Sequence, residues 1–152
     1  MNQQVILRPA EPADVAEMAA VQVAARDAAP MPASVHPQAD IADFLRSRLT
    51  ADEAWVAELS GEVAAYIRFT CMWLDDLYVH PRAQGQGIGG ALLDLAMAQR
   101  PDRLGLYVFE TNTPAQRFYR SRGFVVTERS DGSANEERVP DLRMEWRNVH
   151  GH

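Results

Sequence analysis

The chain has 152 residues, 47% of them hydrophobic, with a formal charge of −6, which fits one domain with a real core and leaves little room for a second. A single cysteine, Cys71, excludes a disulfide framework and a thiolate-built structural zinc site, and points to a reducing, cytoplasmic setting. The acidic balance argues against general binding to nucleic acid or anionic membranes, no apolar run approaches the roughly 20 residues of a membrane span, and the start Met1-Asn2-Gln3-Gln4 lacks the features of a signal peptide. The charge is uneven, however. Between Leu77 and Phe124 six arginines stand against Asp94, Asp102 and Glu110, so that this segment carries +3 and the remainder −9. An anionic ligand is best accommodated there, although scattered surface charge would give the same asymmetry and the motifs must decide.

In chain order, Val5 to Arg8 reads as a short strand, and Pro12 and Asp14 open an alanine-rich helix with an apolar face at Val15, Met18 and Ala19, ending near Ala29. Pro30, Pro32 and Pro37 mark an irregular loop. A second amphipathic helix from Gln38 to Leu49 carries Ile41, Phe44, Leu45 and Leu49 at helical spacing, and this loop and helix could form a lid. Trp55 to Leu59 and Val63 to Phe69, joined by Ser60-Gly61-Glu62, give a hairpin signal, and Met72 to Val79 is a further strand. Beyond a glycine-rich turn, Ile88 to Gln99 forms a helix, Leu104 to Phe109 a strand, and Pro114 to Arg122 a short helix stopped by Gly123. Phe124 to Arg129 and Leu142 to Trp146 complete the strands, separated by the polar connection Ser130 to Asp141. With no repeat or linker, residues 1–152 read as one α/β domain with a mixed sheet.

The run Arg82-Ala83-Gln84-Gly85-Gln86-Gly87-Ile88-Gly89-Gly90 places four of nine glycines between a strand and a helix. A helix N-terminus presents unpaired N–H groups and partial positive charge, and glycines let a phosphate come close, so a pyrophosphate can be bound by main chain. A tight strand-to-helix turn would also use glycine, but four favour phosphate. The dinucleotide fingerprint is only partly met: Gly90 falls one position off its spacing, and Asp102, at the distance of the ribose-binding acid, precedes its strand. The absence of Lys-Ser/Thr excludes a nucleotide-triphosphate loop.

The stretch Leu77-Tyr78-Val79-His80-Pro81-Arg82-x-x-Gly85-x-Gly87-Ile88-Gly89, followed by Asn112-x-x-Ala115-x-x-Phe118-Tyr119-x-x-x-Gly123-Phe124, resembles the acyl-CoA motifs of the GNAT superfamily of N-acetyltransferases. The resemblance implies an α/β fold with a mixed, mostly antiparallel central sheet whose fourth and fifth strands splay apart, flanked by about four helices. The wedge would take acetyl-CoA as cosubstrate: main-chain groups of Leu77 and Val79 would pair with the pantetheine arm, N–H groups of Gln84, Gly85, Gln86, Gly87, Ile88 and Gly89 would hold the pyrophosphate, the Asn112 side chain would bond to the pantetheine amides, and Arg82 would assist electrostatically. The enzyme so implied transfers an acetyl group to a primary amine.

Amine acetylation needs an unprotonated nucleophile, a polarised thioester carbonyl and a proton for the thiolate. Tyr119 matches the family's tyrosine acid, and a phenol, neutral at working pH, suits the task; core packing beside Phe118 and Phe124 is the bland alternative. For the base, Asp75 and Asp76 are adjacent on one strand and are expected to face opposite ways, with Asp75 sharing its face with Trp73, Leu77 and Val79. Asp75 resembles the strand-four base of some family members; strand capping or pairing with an arginine is the competing role. His36, His80, His150 and His152 lack neighbours of metal-ligand type, and no metal is expected. Asp131, Glu136, Glu137 and Asp141 make the last connection acidic, as suits the small cationic amine expected as partner, unless they are merely solvated. Acetylation of a protein or peptide N-terminus and a non-catalytic acyl-CoA sensor are the alternatives, and a homodimer is left open.

Overall fold

The computed structural model of the protein describes residues 4–148. Met1, Asn2 and Gln3, and His150 and His152, lie outside the described residues. The elements run β1 (Val5–Pro9), α1 (Val15–Ala28), α2 (Gln38–Arg48), β2 (Glu53–Leu59), β3 (Glu62–Thr70), β4 (Trp73–Val79), α3 (Ile88–Gln99), β5 (Arg103–Phe109), α4 (Thr113–Ser121), β6 (Val125–Ser130) and β7 (Asp141–Arg147). Local chemistry explains the boundaries. Ser60 and Gly61, with φ of 55° and 80°, make the two-residue turn with both central residues left-handed that suits the twist of a β2–β3 hairpin. The Asn112 side chain accepts from the Ala115 N–H at 3.3 Å, capping α4. Among the described residues no helix is long and apolar enough to cross a membrane.

The strands form one sheet ordered β1-β2-β3-β4-β5-β7-β6, antiparallel except between β4 and β5. Its two faces are packed unequally. On one, Ile67, Phe69, Leu104, Leu106 and Met144 meet Leu92, Leu93 and Ala96 of α3. On the other, Val56, Val63 and Tyr66 meet Val15 and Met18 of α1 and Ile41 and Leu45 of α2. Each Val, Leu, Ile, Phe or Met among them contributes about 1.5–3 kcal/mol on burial.

β4 and β5 are paired only at Trp73 and Gly105, where the Gly105 N–H donates to the Met72 carbonyl at 2.9 Å; beyond that point they part. A Cβ on Gly105 would stand 2.5 Å from the Trp73 ring, so this close approach requires glycine. The β3–β4 register shifts between Arg68, opposite Asp76, and Phe69, opposite Leu74, which leaves Asp75 as the extra residue of a bulge. Strict alternation therefore fails at Asp75 and Asp76. Leu77 and Val79 pack with the α3 core, whereas Asp75 and Asp76 both reach Arg68, at 4.0 and 2.9 Å. The expectation that the two carboxylates face opposite ways, with Asp75 beside Leu77 and Val79, is corrected by this bulge.

Candidate active site

Where β4 leaves β5, a cavity of about 520 Å³ opens between Leu77 and Val79, the glycine-rich turn, the start of α4 and the end of α1. Gly85 and Gly87 hold φ of 81° and 79°, and a Cβ at either would meet nothing within 4 Å, so the backbone faces open space at both. The first helical bond of α3 runs from the Ala91 N–H to the Gly87 carbonyl at 3.0 Å, and the N–H groups from Gly85 to Gly90 have no acceptor among the described residues. This row of donors at the N-terminus of a 12-residue helix is a cradle for an anion the size of a pyrophosphate. Its fit comes from main chain and from missing side chains.

Of the residues expected to hold acetyl-CoA, Leu77, Val79, Gln84, Gly85, Gly87, Ile88, Gly89 and Asn112 line this cavity. Gln86 and Arg82 do not, and the Arg82 side chain turns to Glu62 at 3.3 Å. The Gln84 side-chain amide donates to the Val79 carbonyl at 3.0 Å and occupies it in the free protein. Asn112, with its oxygen committed to the cap, points its NH₂ at the Met31 sulfur at 3.8 Å, a weak partner that a better acceptor would replace. The end of α1 and Pro30-Met31, expected only as helix and lid loop, supply the opposite wall. Their alanine-rich sequence was the one available signal, since small side chains leave room.

A second cavity of about 220 Å³ lies on the other side of Tyr119, and Tyr119, Leu77, Tyr78, Asn112, Ala115 and Met31 line both. The Tyr119 ring packs edge-on against Phe118 and Phe124, with centroids 5.2 and 5.5 Å away, and its hydroxyl has no hydrogen-bond partner among the described residues. Burial, with smaller contributions from Tyr78 and Asp76, pushes the Tyr119 phenol well above its ordinary range, so it keeps its proton at any working pH. Asp75, Asp76 and Asp141 line this second cavity.

The three carboxylates are held differently. Arg48, Asp52, Arg68 and Asp76 form a chain of ion pairs, 2.6, 2.7 and 2.9 Å long, in which each acid has an arginine. Asp75 is the surplus anion: it accepts only from the Thr70 hydroxyl at 3.1 Å, and Arg68 is 4.0 Å away. Burial raises its pKa, with Arg68 opposing. Asp141 accepts from the Ser130 hydroxyl at 2.6 Å.

The connection from β6 to β7 is a self-packed loop. Asn135 donates to the Val139 carbonyl at 2.7 Å and accepts from the Val139 N–H at 3.2 Å, and Gly132, with φ of 87°, lies against the Val139 backbone. Of the four acids expected to attract a cation, Asp141 lines the second cavity and the other three line neither. Asp131 accepts from the Ser133 N–H at 2.9 Å within the turn, Glu136 pairs with His36 at 2.9 Å on the surface, and Glu137 is neutralised by Arg26 at 3.1 Å. The picture of four carboxylates gathered at the acceptor entrance is thereby corrected. Arg26, which the sequence reading missed, is 7% exposed, lines the second cavity, and also donates to the Pro32 carbonyl at 3.0 Å and to the Tyr78 hydroxyl at 3.4 Å. Among the described residues no group of three or more His, Cys, Asp or Glu could hold a metal ion.

A family model described as an acetyltransferase (GNAT) domain matches residues 50–126, just over half of the chain. The peptidyl-lysine N-acetyltransferase YjaB of Salmonella typhimurium (strain LT2) is 34% identical over 95 residues, which cover 62% of this chain and 65% of that protein, so a little over a third of the relative lies outside the match. A GCN5-related N-acetyltransferase from Rhodopseudomonas palustris superposes with a TM-score of 0.76 at 28% identity, covering 97% of this chain and 98% of that one. The fold is shared as well with YncA of Salmonella typhimurium, solved with acetyl-CoA, at a TM-score of 0.74 and 22% identity over 100% of this chain and 97% of that one. The splayed β4 and β5, the glycine cradle at the head of α3 and the matched segment that contains both agree: this chain belongs to the GNAT acetyltransferase family.

Proposed function

We propose that the protein is a cytoplasmic, acetyl-CoA-dependent N-acetyltransferase whose acceptor is a primary amine on a slender chain, a lysine side chain of a polypeptide being the leading case. The observation that carries this reading is the pair of cavities meeting at Tyr119, one walled by free main-chain donors and the other by carboxylates. Acetyl-CoA would lay its pyrophosphate on the N–H groups from Gly85 to Gly89 and its pantetheine arm along the β4 edge at Leu77 and Val79, with the Asn112 NH₂ on a pantetheine carbonyl. Gln84 must release the Val79 carbonyl if that group is to be used. Arg82, paired with Glu62, adds only long-range field.

The acceptor would enter by the second cavity as an ammonium. Asp75, which unlike its neighbour Asp76 has no arginine closer than 4.0 Å, takes its proton through water, and the freed nitrogen attacks the thioester carbon. As the carbon–sulfur bond breaks, the Tyr119 hydroxyl protonates the departing thiolate, and the phenolate recovers a proton as the nitrogen, which after attack carries one more than the amide keeps, releases it. A coenzyme sensor would need neither Tyr119 between the two cavities nor Asp75 in the second, so their placement supports catalysis. YjaB is named for peptidyl-lysine, and a lysine side chain and a small cationic amine present the same ammonium. The acidic loop no longer favours the small amine, because its Glu137 is neutralised. Incubation with acetyl-CoA and matched panels of lysine peptides, blocked and free N-termini and small diamines, read by mass, tests the reading. An increment of one acetyl group on lysine peptides supports it, acetylation of N-termini or diamines alone would change the acceptor, and binding of acetyl-CoA without transfer to any amine would replace the enzyme with a sensor.

A further inference from the structure

The sheet face that α1 and α2 cover over its first half continues uncovered over its second. Residues opposite one another on paired strands share a face, so the rows Phe109–Asp141–Ser130, Tyr107–Arg143–Glu128 and Gly105–Glu145–Val125 all lie on this side, with Glu128 not within ion-pair distance of Arg143. Arg26 of α1 reaches over the Phe109 ring at 5.8 Å and marks where helical cover ends. Beyond it Tyr107 is 58% and Val125 60% exposed. The first of these rows also borders the second cavity, through Phe109 and Asp141. An open strip thus begins at the place where the acceptor amine would enter.

The strip carries one built feature. The Trp73 ring sits over Gly105, 4.8 Å from the Tyr107 ring, and the Arg143 guanidinium lies 5.1 Å above Trp73. Arg143 is poorly satisfied: its Nε is buried without a partner, and its nearest carboxylate, Glu145, is 3.7 Å away. A planar cation stacked on an aromatic and short of acceptors suits a carboxylate in bidentate geometry. Arg143 is two residues along β7 from Asp141, about 7 Å, which is also the span of two residues of extended peptide.

We propose that the Trp73–Tyr107–Arg143 cluster is a docking platform for the polypeptide that carries the acceptor lysine, and that it selects an acidic side chain two residues from that lysine. The partner class follows from charge complementarity with the under-satisfied arginine and from the strip's continuity with the cavity. The inference rests on the reading of the second cavity as the acceptor entrance.

The test uses the full chain, saturating acetyl-CoA and lysine peptides identical except for Glu, Gln or Arg two positions before or after the acceptor. The Glu peptide in the favoured direction is expected to exceed its Gln counterpart by about 5–10-fold in kcat/KM, the scale of one partly exposed charge pair, with the Arg peptide lowest. Arg143→Met, which keeps the packing stem, should bring the Glu-to-Gln ratio to about one, and Arg143→Lys should keep part of it. Fluorescence anisotropy of the same peptides, labelled and bound in the presence of unacetylated CoA, supplies the ordering without turnover. A flat ratio in the wild type, or a ratio that survives in Arg143→Met, overturns the platform. Acetylation without a flanking preference would sink the platform and leave the enzyme reading intact, whereas Arg143-dependent peptide binding without any acetylation would do the reverse.

Discussion

The two cavities that meet at Tyr119 are built by opposite means. The coenzyme side is made of main chain: consecutive N–H groups at the start of α3, left-handed glycines and the free edge of β4. On the reading proposed above it would recognise groups common to every acyl-CoA, and so need little beyond glycine in the right places. The second cavity, proposed for the acceptor, is made of side chains brought from distant parts of the chain, with Arg26 on α1, the bulged pair Asp75 and Asp76, and Asp141 at the start of β7. The same fold can therefore keep its donor chemistry fixed and change its acceptor one side chain at a time.

The largest expected effect lies on the main-chain side. Gly87→Val should abolish measurable acetyl-CoA binding in calorimetry, because its side chain enters the pyrophosphate's space. The structure adds a cost that the glycine count did not show: at φ of 79° a β-branched residue is strained by about 1–3 kcal/mol, so the melting temperature should fall too. Gly87→Asn, which tolerates that backbone, should retain more stability and still lose affinity. Full affinity in either variant would mean that the anion sits elsewhere.

Tyr119→Phe should lower kcat by about 10²-fold while leaving acetyl-CoA affinity unchanged. The hydroxyl has no partner to lose among the described residues, so stability should hardly move. An unchanged kcat would leave Tyr119 as packing.

Asp75→Asn sharpens the contrast on the acceptor side, with an expected fall in kcat/KM of about 10–10²-fold. Its stability should move the other way. Because burial raises the Asp75 pKa, the native state holds this proton at pH values where the unfolded chain has released it, so the group costs stability as pH rises from the ordinary carboxylate range through the raised value. The asparagine variant should therefore melt higher than wild type near neutrality and lose that advantage below the ordinary carboxylate range. A variant that is destabilised at neutral pH would give Asp75 a structural role.

The smallest effects separate two neighbours in the β6–β7 loop. Glu137→Gln leaves the buried Arg26 short of its carboxylate and should cost about 1–3 kcal/mol, with a modest rise in KM for the amine. Glu136→Gln, which touches only the exposed His36, should change neither stability nor KM. Equal responses would restore the picture of a solvated acidic loop that steers a cation.

The same division explains what could be read in advance. Hydrophobic period, proline and glycine place every strand and helix to within a residue or two at most boundaries, and the glycine run marks the turn whose N–H groups stand free, because these are local properties. The bulge at Asp75 is not local: it is set by how β3 pairs with β4, and strict alternation misassigned the neighbouring face. Glu137 meets Arg26 across 111 positions, so its neutralisation had no signature in the acidic loop itself. Arg26 did leave one trace, since it falls on the helical stripe of Val15, Met18, Ala19 and Ala25, where a charge needs a partner.

The central claim is that both cavities belong to one reaction space. A bisubstrate compound in which CoA is joined through its acetyl carbon to a lysine side-chain nitrogen tests it most directly, by calorimetry against CoA alone. The account predicts that the compound binds at least about 10²-fold more tightly than CoA, as ligands spanning a reaction centre do, and that Asp75→Asn removes part of that gain without altering CoA affinity. Affinity equal to that of CoA, untouched by Asp75→Asn, would contradict it.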